Sequence, residues 1–144
     1  MIIVTGGCGF IGINLIKNLN KRKINDILIV DKLTKLKKQN LKNLRYKKII
    51  SKKNFLEFIK IHKNVIKIKC IFHFGACSDT TNNNWEYLYE NNYKYSEKLL
   101  KLSMKFNIRL IYASSASVYG LNGNNKSERS KNFNEPKFKV LNNN

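Results

Sequence analysis

The chain has 144 residues, 42% of them hydrophobic and 11% aromatic, enough apolar material for one packed core and too much for a disordered tract. Its 28 Lys and Arg against 9 Asp and Glu leave a net charge of +19, which points first to a polyanion such as nucleic acid or a membrane surface. Yet 24 of those 28 are Lys, whereas Arg is the better reader of phosphates and base edges because its planar fork binds bidentately.

Lys, Asn and Ile, which can all be written with A and T alone, make up 63 of the 144 residues. Base-composition drift therefore explains the basicity, and no nucleic-acid partner is expected. The excess is concentrated: from Lys32 to Lys69 there are 14 basic residues and one acid, Glu57, which reads as a solvated face. Cys8, Cys70 and Cys77 show no paired spacing, in keeping with a reduced, cytoplasmic setting. No leader is recognisable, and no apolar run approaches about 18 residues, so no membrane partner is expected.

In chain order, apolar residues 2–4 predict a strand, followed by a glycine-rich turn, a helix over 10–21 and a strand over 27–30 that ends in Asp31. Ile11, Leu15, Ile16 and Leu19 fall at helical spacing, so that helix packs one face on a sheet. Lysine obscures the periodicity of 32–69, where a strand near 46–50 and a helix near 55–62 are the best readings. IKCIFHF at 68–74 is a clearer strand, leading into a hydroxyl-rich loop over 75–81. Trp85, Leu88, Asn92, Tyr95, Leu99, Leu102 and Phe106 recur at steps of three and four and draw one buried stripe along a helix. Glu90/Lys94 and Glu97/Lys101 stand at i,i+4 on its outer side, and Tyr87, Tyr89, Tyr93 and Tyr95 read as packing residues. RLIY at 109–112 is a further strand, and after Gly120 no element is evident. Alternating strands and helices predict an α/β, Rossmann-like doubly wound parallel sheet over 1–120, incomplete at its C-terminal side, with an irregular tail over 121–144.

Gly6, Gly9 and Gly12 stand between the first strand and the first helix, and Gly7, Gly9 and Gly12 satisfy the commoner dinucleotide spacing in the same letters. Such glycines permit a tight turn, let backbone N–H groups approach a pyrophosphate at the helix start, and allow close helix–strand packing. Asp31, 19 residues past Gly12, suits an adenosine ribose. Lys32, Lys35, Lys37 and Lys38 could instead neutralise a 2′-phosphate, so the residues leave NAD and NADP open. Asp31, the 75–81 loop and Ser114/Ser115 all follow predicted strands, and in a doubly wound sheet those ends form one ligand-binding rim. His62 and His73 have no metal-ligand spacing.

TGGCGFIG at 5–12, Asp31 and YASSASVYG at 112–120 resemble the extended short-chain dehydrogenase/reductases, the superfamily of nucleotide-sugar epimerases and dehydratases. MIIVTGG at the start, DILIVD at 26–31, IFHFGACSDTT at 71–81 and ENNYKYSEKLL at 90–100 are similar to the ADP-L-glycero-D-manno-heptose 6-epimerase branch, to about residue 136. The resemblance implies that Phe10, Ile11, Asp31, Lys32, Lys37, Lys52, the stretch Phe74, Gly75, Ala76, Cys77 and Ser78, and Asn91 hold NADP, with NAD the alternative. It implies that Ser115 is the catalytic serine, orienting the reacting hydroxyl of ADP-heptose. In such enzymes a hydride leaves C6 and returns to the opposite face, for lipopolysaccharide core synthesis in a homo-oligomer.

Two departures stand out. Phe74 replaces a family Glu, and no tyrosine carries Lys four residues on, although the family uses a Tyr-x-x-x-Lys helix for proton transfer. The expectation is a C-terminally shortened member without its substrate domain and without turnover. A catalytically dead dinucleotide-binding remnant and another NAD-dependent nucleotide-sugar enzyme are the alternatives.

Overall fold

Ile2–Thr5 (β1), apolar up to its closing Thr5, and Ile27–Val30 (β2), apolar throughout, are almost wholly buried, the pattern of strands covered on both faces in a parallel sheet. Phe10–Lys21 (α1) joins them, and the computed structural model continues with Lys35–Asn40 (α2), Lys48–Ile50 (β3), Lys52–His62 (α3) and Cys70–His73 (β4). A long helical run then comprises Trp85–Leu88 (α4), a π-helical segment Tyr89–Lys94 and Tyr95–Lys105 (α5), before Arg109–Tyr112 (β5). The structure describes residues 1–62, 67–79 and 81–114. These elements belong to the unit Met1–Ala113, and the expected tail over 121–144 lies outside the described residues.

The five strands are parallel, in the order β3-β2-β1-β4-β5. The expected Rossmann-like plan is therefore present. Alternation along each strand divides the core in two. Ile3, Leu28, Val30 and Ile71 meet Phe55 and Ile59 of α3 and Tyr95, Leu99 and Leu102 of α5. Val4, Ile27 and Ile29 face the other way, with Ile16 of α1 and Leu41. Burying a Leu, Ile or Phe side chain contributes about 1.5–3 kcal/mol, so these clusters set the strand register.

Three sequence expectations change. Helix α2 falls in the lysine-rich stretch where none was predicted; Thr34 starts it by accepting the Lys37 N–H at 3.3 Å, and Leu41 at its end is buried. Trp85, read as the head of the buried stripe, is 76% exposed. The π-helical segment bonds i→i+5, so residues before it are rotated relative to those after it, and only Tyr95, Leu99 and Leu102 of the stripe are buried. Trp85, Tyr89 and Tyr93 stack on one another along an outer face instead, with centroids 6.2 and 5.2 Å apart. For the same reason Glu90 reaches Lys98 at 4.0 Å rather than Lys94. Beyond the π segment the expected Glu97–Lys101 pair forms, at 2.8 Å.

Candidate functional site

Strand order places the chain's switch of direction between β1 and β4: the connections lead outward from β1 through β2 to β3, then cross back to β4. The loops leaving β1 and β4 diverge there, which is where open α/β sheets bind ligands. A groove of about 730 Å³ occupies this position, within the roughly 300–1,000 Å³ of small-molecule sites. A hollow of about 960 Å³ between α2 and the approach to β3, lined by Lys35, Lys38, Lys42 and Arg45, touches none of these strand-end loops.

The groove brings together Gly6, Gly9, Phe10, Ile11 and Gly12 from the first loop, Asp31, Lys32 and Lys37 beyond β2, Lys52 of α3, residues 74–78 beyond β4, and Asn91. Every cofactor residue that the family resemblance implies therefore lines one cavity, whereas Lys35 and Lys38, the other lysines offered for a 2′-phosphate, line the separate hollow. Thr5, Val30, Tyr87 and Tyr95 line it as well and were not foreseen. Ser115 and Thr80 lie outside the described residues.

The first loop is shaped by close approach. Gly6 has φ +67°, and a Cβ there would sit 2.7 Å from Gly75 N; at Gly12 a Cβ would sit 2.4 Å from Gly6 O. The two loops can touch only because neither Gly6 nor Gly75 carries a side chain at the contact. Gly9 then starts α1 with no side-chain cap, no acid stands in the first turn, and Phe10 is 85% exposed. A helix start of this kind presents backbone N–H groups and the positive end of its dipole to an anion.

Asp31 ties the loops together. Its Oδ2 accepts the Cys8 N–H at 2.9 Å, while Oδ1 accepts the Lys32 N–H and the Lys37 ammonium, both at 2.7 Å. Burial, and next the Asp31 carboxylate, push the Cys8 thiol up to about 11, so Cys8 is an inert packing residue. Lys52 hydrogen-bonds Asn91 Oδ1 and lies over the Tyr95 ring, 4.8 Å from its centroid; burial lowers its pKa. The Tyr95 hydroxyl is buried and finds no hydrogen-bond partner among the described residues.

Behind the groove, Gly75 N–H donates to Thr5 Oγ1 at 3.2 Å, and Thr5 Oγ1 lies 2.6 Å from His73 Nδ1. His73 Nε2 lies 2.8 Å from Ser96 Oγ, which donates to Asn92 O at 2.6 Å. Ser96 has spent its hydrogen, so His73 donates from Nε2 and accepts at Nδ1 from Thr5. Burial, then the nearby Lys52 charge, lower its pKa to about 4, and the ring is neutral. His73 is thus a satisfied structural histidine, detectable in advance only through its place at a strand end.

Residues 2–138 match the NAD dependent epimerase/dehydratase family. The chain belongs to that family. Among curated relatives it is 46% identical, over 134 residues, to the ADP-L-glycero-D-manno-heptose-6-epimerase of Brachyspira hyodysenteriae, covering 92% of this chain and 42% of that one. Among solved structures the Helicobacter pylori ADP-L-glycero-D-manno-heptose-6-epimerase superposes with a TM-score of 0.70 at 29% identity, over 84% of this chain and 41% of that one. UDP-glucuronic acid 4-epimerase from Bacillus cereus, in complex with NAD, shares the fold at TM-score 0.67 and 24% identity, covering 84% of this chain and 42% of that one. As an epimerase/dehydratase family member the chain spans about two fifths of the length of these relatives. Among its described residues no helix is long and apolar enough to cross a membrane, and no cluster of His, Cys, Asp or Glu is placed to hold a metal.

Proposed function

We propose that this chain is the cofactor-holding part of an ADP-L-glycero-D-manno-heptose 6-epimerase, with NADP as its dinucleotide and NAD as the alternative. The observation that carries this reading is the convergence of the uncapped α1 start, the Asp31–Lys37 pair and the 74–78 loop on one groove. Its size and its donors fit a dinucleotide. The 46% identity to a heptose epimerase supports the sugar substrate.

The chemistry a bound nicotinamide would supply is reversible hydride transfer at C6 of the heptose. The chain's own residues bind and orient. Phe10 and Ile11 N–H groups take the pyrophosphate, Asp31 the adenosine ribose, and Lys32 and Lys37 a 2′-phosphate. Lys37 already neutralises Asp31, which offsets the repulsion a carboxylate would exert on that phosphate. Lys52, Asn91 and the 74–78 backbone line the rest, and Phe74 gives that wall an apolar face in place of a carboxylate. Ser115 orients the reacting hydroxyl. Proton transfer needs a group with a tuned pKa, and no tyrosine among the 144 residues has Lys four positions on. We infer that the chain by itself holds cofactor without turnover.

Fluorescence titration with NADPH and NADH, followed by an assay with ADP-heptose, tests both parts. Saturable binding that is tighter for NADPH, with no epimer formed, is expected. A flat titration of folded protein would contradict the cofactor assignment; epimer formation would contradict the inactivity.

A further inference from the structure

We propose that Asn92 is a positioning residue for the dinucleotide, its amide clamping the 74–78 loop in the shape that forms the groove wall; this rests on the cofactor reading of the groove. Cys77 N–H donates to Asn92 Oδ1 at 2.7 Å, and Asn92 Nδ2 donates to Cys77 O at 3.0 Å. Both backbone groups of Cys77 are thereby paired as a neighbouring strand would pair them, although β4 has ended at His73. Only a carboxamide offers a donor and an acceptor side by side for this.

The clamp has a second anchor at Gly75, whose N–H donates to Thr5 Oγ1 at 3.2 Å. Between the anchors the loop has almost no freedom. A Cβ on Gly75 would already stand 3.0 Å from Gly6 N, so displacement of the loop carries it into the glycine turn or out of the groove. The anchors are also coupled: Asn92 O accepts from Ser96, and Ser96 meets His73, which meets Thr5.

The π-helical segment makes the arrangement local. Adjacent residues Asn91 and Asn92 both reach the groove side, Asn91 to Lys52 and Asn92 to Cys77. Inserted π turns recur at functional sites for this reason. Asn92 otherwise occupies the apolar stripe of Leu88, Tyr95 and Leu99, where an unpaired amide would be unfavourable.

Asn92→Leu suits the stripe and removes both bonds; Asn92→Asp keeps the acceptor for Cys77 N–H but sets an oxygen against Cys77 O. NADPH affinity by fluorescence, amide hydrogen exchange at Cys77 and thermal melting would be measured on the full chain. Expected are a roughly tenfold weaker NADPH affinity in both variants, the loss of one to two net hydrogen bonds, and faster Cys77 exchange with the exchange of β1 and β2 unchanged. Should Asn92→Leu fail to fold, Asn92→Asp decides alone. Wild-type affinity and wild-type Cys77 exchange in a folded variant would overturn the role of Asn92. No saturable NADPH signal from the wild-type chain would instead overturn the reading of the groove on which it rests.

Discussion

Thr5 and His73 are register partners at the carboxyl ends of β1 and β4, and the Thr5 hydroxyl donates to His73 Nδ1 across 2.6 Å. A histidine held neutral at about 4 but titrating near 6.5 when unfolded binds its proton more readily in the unfolded chain. Its contribution to stability is complete above about pH 6.5 and declines as pH falls toward 4, by about 3 kcal/mol at most. Urea unfolding at pH 7 and pH 4.5 should show this decline, and His73→Gln should flatten it. Equal slopes in both proteins would assign the acid sensitivity to other groups.

The parts of this fold that were legible in the sequence are those fixed by local chemistry. ILIV at 27–30 has no polar face and reads as a doubly covered strand, and the glycine spacing after β1 names the turn and the helix start. Helix α2 was illegible because KLKKQN shows no apolar period; its order comes from the Thr34 cap and from Leu41. The stripe through Asn92 kept its steps of three and four across the π-helical segment, so a residue bonded to a loop looked like one more core position. Thr5, Tyr87 and Tyr95 reach the groove only through strand order and helix placement, which no local pattern encodes. His73 likewise finds Thr5 and Ser96 through pairing 68 and 23 residues away.

Gly12→Ala should be among the most damaging single-methyl additions. The new Cβ would lie 2.4 Å from Gly6 O and 2.5 Å from Gly7 Cα, backbone atoms that cannot yield without opening the turn. A loss of about 1–3 kcal/mol is expected, read as a lower urea midpoint at unchanged m. Wild-type stability would mean that the turn has slack.

Lys23 ends α1 at φ 62°, where its N–H closes onto Asn20 O and the Ile24 N–H onto Leu19 O. This is the left-handed position that favours glycine. Lys23→Gly should therefore raise stability by up to about 1 kcal/mol. Thermal unfolding checks the sign, and a fall in midpoint would contradict the strain.

Leu99 is fully buried on the α5 side of the sheet. Leu99→Ala should cost about 2–5 kcal/mol, whereas Met104→Ala on the same helix, at 74% exposure, should stay within about 0.5 kcal/mol. Similar losses at both positions would mean that α5 is not packed as described.

Lys37→Ala separates the two dinucleotides. Lys37 lies 2.7 Å from Asp31, where a 2′-phosphate would be met, so NADPH affinity should fall about tenfold while NADH affinity changes little. Equal losses for both would place Lys37 against a phosphate that NAD also carries.

Backbone-amide NMR during an NADPH titration would locate the dinucleotide, which the proposed function sets in the groove between the ends of β1 and β4. Shifts should concentrate at residues 6–12, Asp31, Lys32 and 75–78, with the hollow around Lys42 and Arg45 unperturbed. Shifts centred on that basic hollow, or none in a folded chain, would contradict that placement.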